Sequence, residues 1–302
     1  MNKVSLCIPN YKNAKAFRVI LQEWISFIGE RPDEIIVVDG GTDNEIFQVY
    51  TDLFKEGLID KLFILNPNHP ENNKDLCYIQ ESWTGTLSRN EFIMYIKPDT
   101  LPYRKGYENW LNEYKSLLED PKIFSISGSY STTKPLGEYN QDFYYSQATS
   151  ENFCIMKRKN FFAALDFIWE MVKKGWQCEN PYSKISPVHA RCLIEVAWDR
   201  YCEKNDLIVL ARKENPNWTI FHANLKDDKL LKTLEKYKAR KNIKHFMNSS
   251  GRYYSGYNIY LHYFFRIVSL VRRSIYYFIH GDIDYLFNRF KKRIKQFFGN
   301  YQ

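Results

Sequence analysis

The feature that most constrains the fold is a repeated pattern of short apolar runs separated by helix-length segments. Residues 3–9 form one such run, which a proline ends, and residues 34–39 form a second, which two glycines follow. Between them, residues 10–27 carry apolar side chains at helical spacing. Strand, helix and strand in this order indicate a βαβ unit. The pattern therefore predicts an α/β fold with a mostly parallel sheet flanked by helices.

A third apolar run, residues 92–96, ends abruptly at Lys97, Pro98 and Asp99. A continuous apolar run of this length is typical of a parallel strand that is buried on both faces. Open α/β sheets bind their ligands at the carboxyl ends of such strands. Lys97 and Asp99 are therefore predicted to face a ligand cleft. Shorter runs predict further strands at 61–65, 123–129, 153–158, 207–210 and 218–222.

Composition narrows the class of protein. With 302 residues and 44% apolar content, the chain can bury a sizeable core in one large domain with an appendage, or in two domains. The six cysteines are scattered, without a CxxC pair or a His/Cys cluster, which favours reduced thiols over a disulfide framework or a zinc site. The start lacks the apolar core of a secretion signal, and no uncharged run reaches the roughly 18 residues that span a bilayer. A cytoplasmic location is expected.

The charge is divided unevenly along the chain. Residues 226–302 hold 17 Lys and Arg against 5 Asp and Glu, a net charge of +12, whereas residues 1–225 carry a net charge of −4. We therefore expect a catalytic or binding domain at 1–225 and a basic, aromatic-rich helical extension at 226–302. The basic balance belongs to the extension and says nothing about the ligand of the first domain.

Two amphipathic segments between residues 259 and 298 join a basic polar face to an aromatic apolar face. This pattern is typical of helices that lie in the plane of a membrane surface, and basic residues add attraction to anionic lipid. The alternative is that the segments pack on the first domain or on a second copy of the chain, giving a homo-oligomer. Nucleic acid is the least favoured partner, because no RRM, KH or zinc signature is present.

The segments VSLCIPNYKN (4–13) and EIIVVDGGTDN (34–44) resemble the opening motifs of family 2 glycosyltransferases of the GT-A fold. The resemblance covers residues 1 to about 225 and implies a nucleotide-sugar donor, UDP-linked in particular. It implies that Asp39 hydrogen-bonds the uracil and that Pro9, Asn10 and Tyr11 form the floor of the base pocket. Without the resemblance, an aspartate after a strand is better explained as a turn-forming residue.

The same family carries a DxD motif after its fourth strand, and the resemblance aligns Asp99 with its second aspartate. This implies that Asp99 binds a divalent cation, Mn²⁺ or Mg²⁺, at the donor diphosphate, and that His222 completes the metal site. Lys97 stands where the first aspartate is usual. Three explanations stay open: the ion binds through Asp99 and a distant histidine, Lys97 replaces part of its charge, or the site has lost its activity.

Glu195 and Asp199 are four residues apart in a predicted helix at 187–204, so their carboxylates share one face. The resemblance places the general base of an inverting transferase near this point, with Glu195 as the first candidate and Asp199 as the second. A general base removes the proton of the acceptor hydroxyl as it attacks the sugar. The structural alternative is a pair of surface carboxylates neutralised by neighbouring basic residues.

Together these patterns predict transfer of a sugar from a nucleotide-sugar donor, UDP-linked by preference, to a hydroxyl of a glycan or a lipid-linked acceptor. One alternative is a GT-A domain without catalytic activity that serves binding or assembly. A sugar-1-phosphate nucleotidyltransferase is disfavoured, because the residues after the first strand, IPNYKN, do not form the glycine-rich loop of that class.

Overall fold

The computed structural model describes residues 3–11, 13–40, 43–65, 79–128, 135–146, 149–173, 194–241 and 243–247, and the single residues 271 and 275. The chain divides into two compact units, Met1–Arg252 and Tyr253–Gln302. The predicted membrane or partner segments at 259–298 lie outside the described residues, apart from those two positions. Within the described part of the chain, no helix is both long and apolar enough to cross a bilayer.

Eleven strands are described: β1 Val4–Asn10, β2 Glu34–Asp39, β3 Lys61–Ile64, β4 Phe92–Ile96, β5 Thr100–Arg104, β6 Ile123–Ser127, β7 Pro135–Glu138, β8 Phe143–Ser146, β9 Phe153–Lys157, β10 Ile208–Arg212 and β11 Trp218–His222. The described helices are α1 Ala14–Ile28, α2 Asn44–Lys55, α3 Ile79–Thr86, α4 Trp110–Leu117, α5 Arg158–Lys173, α6 Ile194–Asn205, α7 Asp227–Lys238 and α8 Ile243–Met247.

The main sheet has nine described strands in the order β3-β2-β1-β4-β9-β6-β10-β8-β7. The first four pair in parallel, β9 runs antiparallel between β4 and β6, and β10 is parallel to β6. Of these strands only β9 and β8 therefore run against the common direction. The predicted α/β fold with a mostly parallel sheet and flanking helices is confirmed.

Each face of the sheet carries its own apolar layer. On one face, Tyr95 of β4 and Met156 of β9 pack with α5 and α6, through side chains such as Phe161 and Trp198. On the other face, aromatic rings hold α1 and α4 against the sheet. Trp24 stacks on Phe153 with the ring centroids 5.4 Å apart. The helices are therefore held by burial of their apolar faces, which is the main source of helix stability in proteins.

A second, two-stranded sheet pairs β5 with β11 antiparallel. Trp218 of β11 is fully buried and contacts Trp110 of α4 at a centroid distance of 5.2 Å. The indole nitrogen of Trp24 donates a hydrogen bond of 3.1 Å to the backbone oxygen of Thr100. The small sheet is therefore packed against α1 and α4, and its last residue, His222, is paired with Thr100.

Helix α7 begins at Asp227, just beyond residue 225, where the sequence suggested that the first domain ends. Its buried residues are Leu230, Thr233, Leu234 and Tyr237. The ring of Tyr237 stacks on Phe221 of β11, with the centroids 6.1 Å apart. Helices α7 and α8 thus belong to the first compact unit, which continues to Arg252.

Candidate functional site

An open cleft lies at the carboxyl ends of β1 and β4, and its empty space is about 520 Å³ when the part open to solvent is included. These strands are neighbours in the sheet, and the chain runs from β1 outward to β2 and β3 before it returns to β4 on the other side. The cleft is therefore at the point where the strand order reverses, the usual ligand position in open α/β sheets. Its lining residues are Pro9, Asn10, Tyr11, Asn13, Gln80, Glu81, Lys97, Pro98, Asp99 and Lys226.

Five of the predicted donor-site residues, namely Pro9, Asn10, Tyr11, Lys97 and Asp99, line this cleft. The sixth, Asp39, is fully buried. Asn10 donates a hydrogen bond of 3.0 Å to the Asp39 carboxylate, and the hydroxyl of Tyr50 donates to the same oxygen. Burial and the charge of Asp39 raise the pKa of Tyr50, so the phenol stays protonated and remains a donor. Asp39 therefore holds the side chain of Asn10, which is one of the residues that line the cleft. The hydrogen bond between Asp39 and a uracil stays a prediction.

Asp99 and His222 meet at the edge of the cleft. The Nε2 atom of His222 lies 3.2 Å from an oxygen of Asp99, and the two side chains are 29% and 23% exposed. The antiparallel pairing of β5 with β11 brings them together, because Ala223 N, one residue beyond β11, donates a 2.8 Å hydrogen bond to the Asp99 carbonyl. Burial favours the neutral acid, but the hydrogen bond with His222 and the charges of His222 and Lys97 lower the pKa of Asp99 overall.

The geometry of this pair suits part of a metal site. Two ligands at right angles on a cation, each about 2.1 Å from it, lie about 3 Å apart, and the Asp99–His222 separation agrees with this. No cluster of three or more His, Cys, Asp and Glu suited to a metal occurs among the described residues. The residues thus fit two adjoining positions of an open site, whose remaining ligands would come from water or a substrate. A carboxylate with an imidazole suits an ion of the Mn²⁺ class.

Lys97 is held in a cluster of buried carboxylates. Its Nζ lies 2.8 Å from an oxygen of Glu151 and 3.6 Å from one of Glu81, and these glutamate side chains are 1% and 2% exposed. Burial opposes the charge of Lys97, but Glu151, Glu81 and Glu195 raise its pKa well above the usual range. Burial also raises the pKa of Glu81 to about 7, against the charge of Lys97. Lys97, whose side chain is 24% exposed, is therefore a partly buried ammonium paired with buried glutamates.

The position of Glu81 follows from the close approach of α3 to the sheet. The hydroxyl of Tyr95 on β4 donates a hydrogen bond of 2.6 Å to the carbonyl of Glu81. Gly85 lies one turn later, and a Cβ at that position would overlap Tyr95 and Phe161. Only glycine lets the helix come this near, and Glu81 is then carried into the buried layer beside Lys97.

Glu195 and Asp199, the predicted catalytic pair, lie on one face of α6 and bind the loop before β9. An oxygen of Glu195 accepts a hydrogen bond of 2.8 Å from the amide of Glu151, and Asp199 accepts one of 3.3 Å from Thr149. Burial raises the pKa of Asp199 to about 8, although the Thr149 amide acts in the opposite direction. Neither residue is among those lining the cleft, but Glu195 is near enough to Lys97 to raise its pKa.

Three residues of this region were not predicted from the sequence: Glu81, Glu151 and Lys226. Glu81 and Glu151 are polar residues in a helix and a loop, and nothing in their local sequence distinguishes them from surface carboxylates. Their burial depends on the packing of α3 and of the loop before β9 around Lys97. Lys226 follows the predicted domain end at residue 225, yet it lines the cleft.

No protein-family model matches the sequence, and no curated protein sequence matches it. Among solved structures, the chain is similar to a mannosyltransferase from Pyrobaculum calidifontis in complex with GDP-Man and Mn²⁺, with 15% identity, a TM-score of 0.38, and coverage of 52% of this chain and 45% of that one. It is also similar to mannosyl-3-phosphoglycerate synthase from Rubrobacter xylanophilus, with 16% identity, a TM-score of 0.33 and coverage of 52% and 54%.

A third similar structure is an apo UDP-glucose pyrophosphorylase, with 10% identity, a TM-score of 0.46, and coverage of 80% of this chain and 99% of that one. The matched part of the chain spans about half the length of each of the first two proteins. At such low identity these similarities concern the fold, so the function has to be inferred from the residues of this chain.

Proposed function

We propose that this chain is a glycosyltransferase of the GT-A fold, similar to family 2, that transfers a sugar from a nucleotide-sugar donor. The observation that carries the proposal is the Asp99–His222 pair at the edge of the β1–β4 cleft. A carboxylate and an imidazole 3.2 Å apart, beside an open cleft, are suited to hold the diphosphate end of a donor through a cation.

The nucleoside end of the donor lies, in this proposal, against Pro9, Asn10 and Tyr11. Asn10 is held rigidly because its amide donates to Asp39. A fixed amide at the wall of a cleft can read the hydrogen-bonding edge of a base, and the fully buried Asp39 keeps it in place. The preference for UDP over other nucleotides depends on the resemblance of Asp39 and its neighbours to the family motif.

A bound Mn²⁺ or Mg²⁺ would neutralise the charge that develops on the departing diphosphate. Asp99 and His222 would hold the ion, and the lowered pKa of Asp99 keeps its carboxylate charged for that purpose. Lys97 contributes to this lowering while its own ammonium is paired with Glu151. We therefore assign Lys97 to the support of Asp99 within the donor site.

Glu195 is the proposed general base, and the reaction proceeds with inversion. It would take the proton of the acceptor hydroxyl as that oxygen forms the bond to the anomeric carbon and the bond to the diphosphate breaks. Asp199, whose pKa is about 8, is mostly protonated at neutral pH and is the weaker candidate. The proposed acceptor is a glycan or a lipid-linked glycan, which the membrane-seeking pattern of residues 259–298 supports.

The proposal is tested by a screen of UDP- and GDP-sugars for thermal stabilisation, followed by donor hydrolysis with Mn²⁺ or with EDTA. We expect one nucleotide-sugar to raise the melting temperature and to be hydrolysed slowly in the presence of the metal. Glu195→Gln should retain donor binding, because its carbonyl still accepts from Glu151, and should lose at least about 100-fold in turnover with an acceptor. Asp99→Ala should lose both the hydrolysis of the donor and the transfer of the sugar to an acceptor.

A second candidate function is a nucleotide-sugar-binding module without transferase activity. The observation in its favour is that Lys97 is bound by glutamates and Glu195 by a backbone amide, as expected of groups that stabilise a structure. The same screen separates the two functions. A binding module would be stabilised by a nucleotide-sugar and would show no turnover in the wild-type chain or in either variant.

A further inference from the structure

One segment at the cleft remains without a role in the proposed reaction. Residues 223–227, the strap, connect the end of β11 to the start of α7. Lys226 of the strap is a lining residue of the cleft. The strap begins beside Asp99, whose carbonyl accepts the hydrogen bond from Ala223, and it ends at the first turn of α1.

Asp227 fixes the C-terminal end of the strap by hydrogen bonds to α1. Its carboxylate accepts hydrogen bonds of 2.9 Å from the amide of Lys15 and 3.4 Å from that of Ala16. Its own amide donates a 3.0 Å hydrogen bond to the side chain of Asn13. The first amides of a helix lack intrahelical partners, so Asp227 caps α1 from a distant part of the sequence. The strap is therefore fixed at both ends.

The backbone of the strap turns at two positions that flank Lys226. Asn224 and Asp227 have φ angles of 53° and 44°, in the left-handed region that, besides glycine, asparagine and aspartate adopt most readily. Lys226 lies between these two positions and lines the cleft.

The ammonium of Lys226 differs from that of Lys97 in its partners. Its Nζ donates a hydrogen bond of 3.0 Å to the carbonyl of Tyr11 and lies 4.6 Å from the centroid of the Tyr11 ring. Both partners are uncharged, and the described part of the chain places no carboxylate within ion-pair distance of this nitrogen. A lysine ammonium has three donors, so two of them remain for an anion in the cleft.

The other charged side chains that line the cleft already have partners. Lys97 is paired with Glu151 and Glu81, and Asp99 is hydrogen-bonded with His222. An anion that enters the cleft would therefore find its opposite charge at Lys226. A phosphate oxygen gains a strong, charge-assisted hydrogen bond from such a group.

We propose that Lys226 binds the phosphates of a nucleoside diphosphate in the cleft. This inference rests on the proposed function, because it takes the donor to be a nucleotide-sugar. It extends the donor site beyond residue 225 and gives the site a second cationic side chain in the cleft that Asp99 also lines.

The test measures binding of UDP, GDP and inorganic pyrophosphate to the full chain by calorimetry, in EDTA and in Mn²⁺, at several salt concentrations. Lys226→Met keeps the aliphatic stem over Tyr11 and removes the charge, whereas Lys226→Arg keeps the charge. Lys229→Met, at an exposed position of α7, is the matched control. The unfolding temperature of each free variant shows whether the fold is intact.

We expect Lys226→Met to bind pyrophosphate and its preferred nucleotide about tenfold or more weakly, with a shallower dependence of affinity on salt. Lys226→Arg should retain most of the affinity, and Lys229→Met all of it. Unchanged affinity in Lys226→Met, or weaker affinity with an unchanged salt dependence, would overturn the inference and leave the proposed function standing. A wild-type chain that binds none of the three probes would overturn both.

Discussion

Lys97 illustrates how one side chain can alter the chemistry of a whole strand end. At a position where a carboxylate was expected from the family resemblance, the chain carries an ammonium and surrounds it with buried glutamates. The pairing of Lys97 with buried glutamates cannot be predicted from its position in the sequence alone, since a lysine at a strand end is normally solvated. Its partners come from α3 and from the loop before β9, which are distant in sequence, and this is why the cluster could not be predicted.

Replacing Lys97 should have a large effect on stability. Lys97→Met leaves two buried carboxylates without their cation, and loss of one partner from a buried ion pair costs about 3–5 kcal/mol of unfolding free energy. Lys173→Met removes an exposed partner of Glu170 and should cost about 1 kcal/mol or less. Urea unfolding of both variants measures the difference. Similar costs for the two would contradict the buried assignment of the cluster.

The raised pKa of Glu81 predicts a pH dependence of stability. Its pKa is 4.5 ordinarily and about 7 in the fold, so the folded state binds the proton more tightly than the unfolded state. This contribution is complete below pH 4.5 and is lost as the pH rises through 7, a loss on the order of 3 kcal/mol. The ammonium of Lys97 and the carboxyl of Glu195 act on the same group, and Glu81 in turn raises the pKa of Glu151.

In Glu81→Gln the side chain cannot ionise, so the unfolding free energy of this variant should not show this decrease as the pH rises. The difference in unfolding free energy between the wild type and Glu81→Gln should therefore move in favour of the variant between pH 4.5 and pH 8. Urea unfolding across that range measures it. Parallel curves for the two proteins would show that Glu81 does not titrate in the fold in this way.

At the scale of elements, the sequence pattern predicted the buried strands well and the marginal ones badly. Continuous apolar runs defined β2, β4 and β11, whose observed bounds equal the predicted ones. Strand β5 was missed because it contains Pro102, which cannot donate to a ladder and is unusual in strands. Strands β7 and β8 fall in a polar, tyrosine-rich stretch where side-chain pattern carries little information.

The β5–β11 pair matters more than its size suggests, because it delivers His222 to Asp99. Its attachment depends on Trp218, which is fully buried. Trp218→Ala should cost about 3–5 kcal/mol of unfolding free energy and should weaken donor binding as well. Trp169→Ala, at a residue that is 45% exposed on α5, is the matched control and should change both much less. Unfolding curves and donor binding in the two variants check this.

At the scale of the whole molecule, the compact first unit ends at Arg252, whereas the change of charge along the sequence occurs near residue 226. The two positions differ because α7 is basic on its exposed side and apolar on its buried side. Composition averages over both sides, so it cannot separate a helix that packs on a domain from one that extends beyond it. The family resemblance also ends near residue 225, so neither signal included Lys226 and Asp227.

Two truncations distinguish these boundaries. A chain that ends at residue 252 should unfold cooperatively and bind the donor, while losing any attraction to anionic vesicles that the basic segments provide. A chain that ends at residue 225 loses α7 and the Asp227 cap on α1, and it should be strongly destabilised. Thermal unfolding and vesicle sedimentation check both. Equal stability of the two truncated chains would contradict the division at Arg252.

The antiparallel strand β9 has a consequence for biosynthesis. It is made after β6 but inserts between β4 and β6, so a growing polypeptide leaves the ribosome with the edge of β4 bare until β9 follows. In the same way, Lys97 can pair with Glu151, and Asp99 with His222, only after those later residues have been synthesised. Because exposed strand edges promote aggregation in incomplete chains, translation that stops before residue 222 should yield fragments that need chaperones and lack a finished cleft.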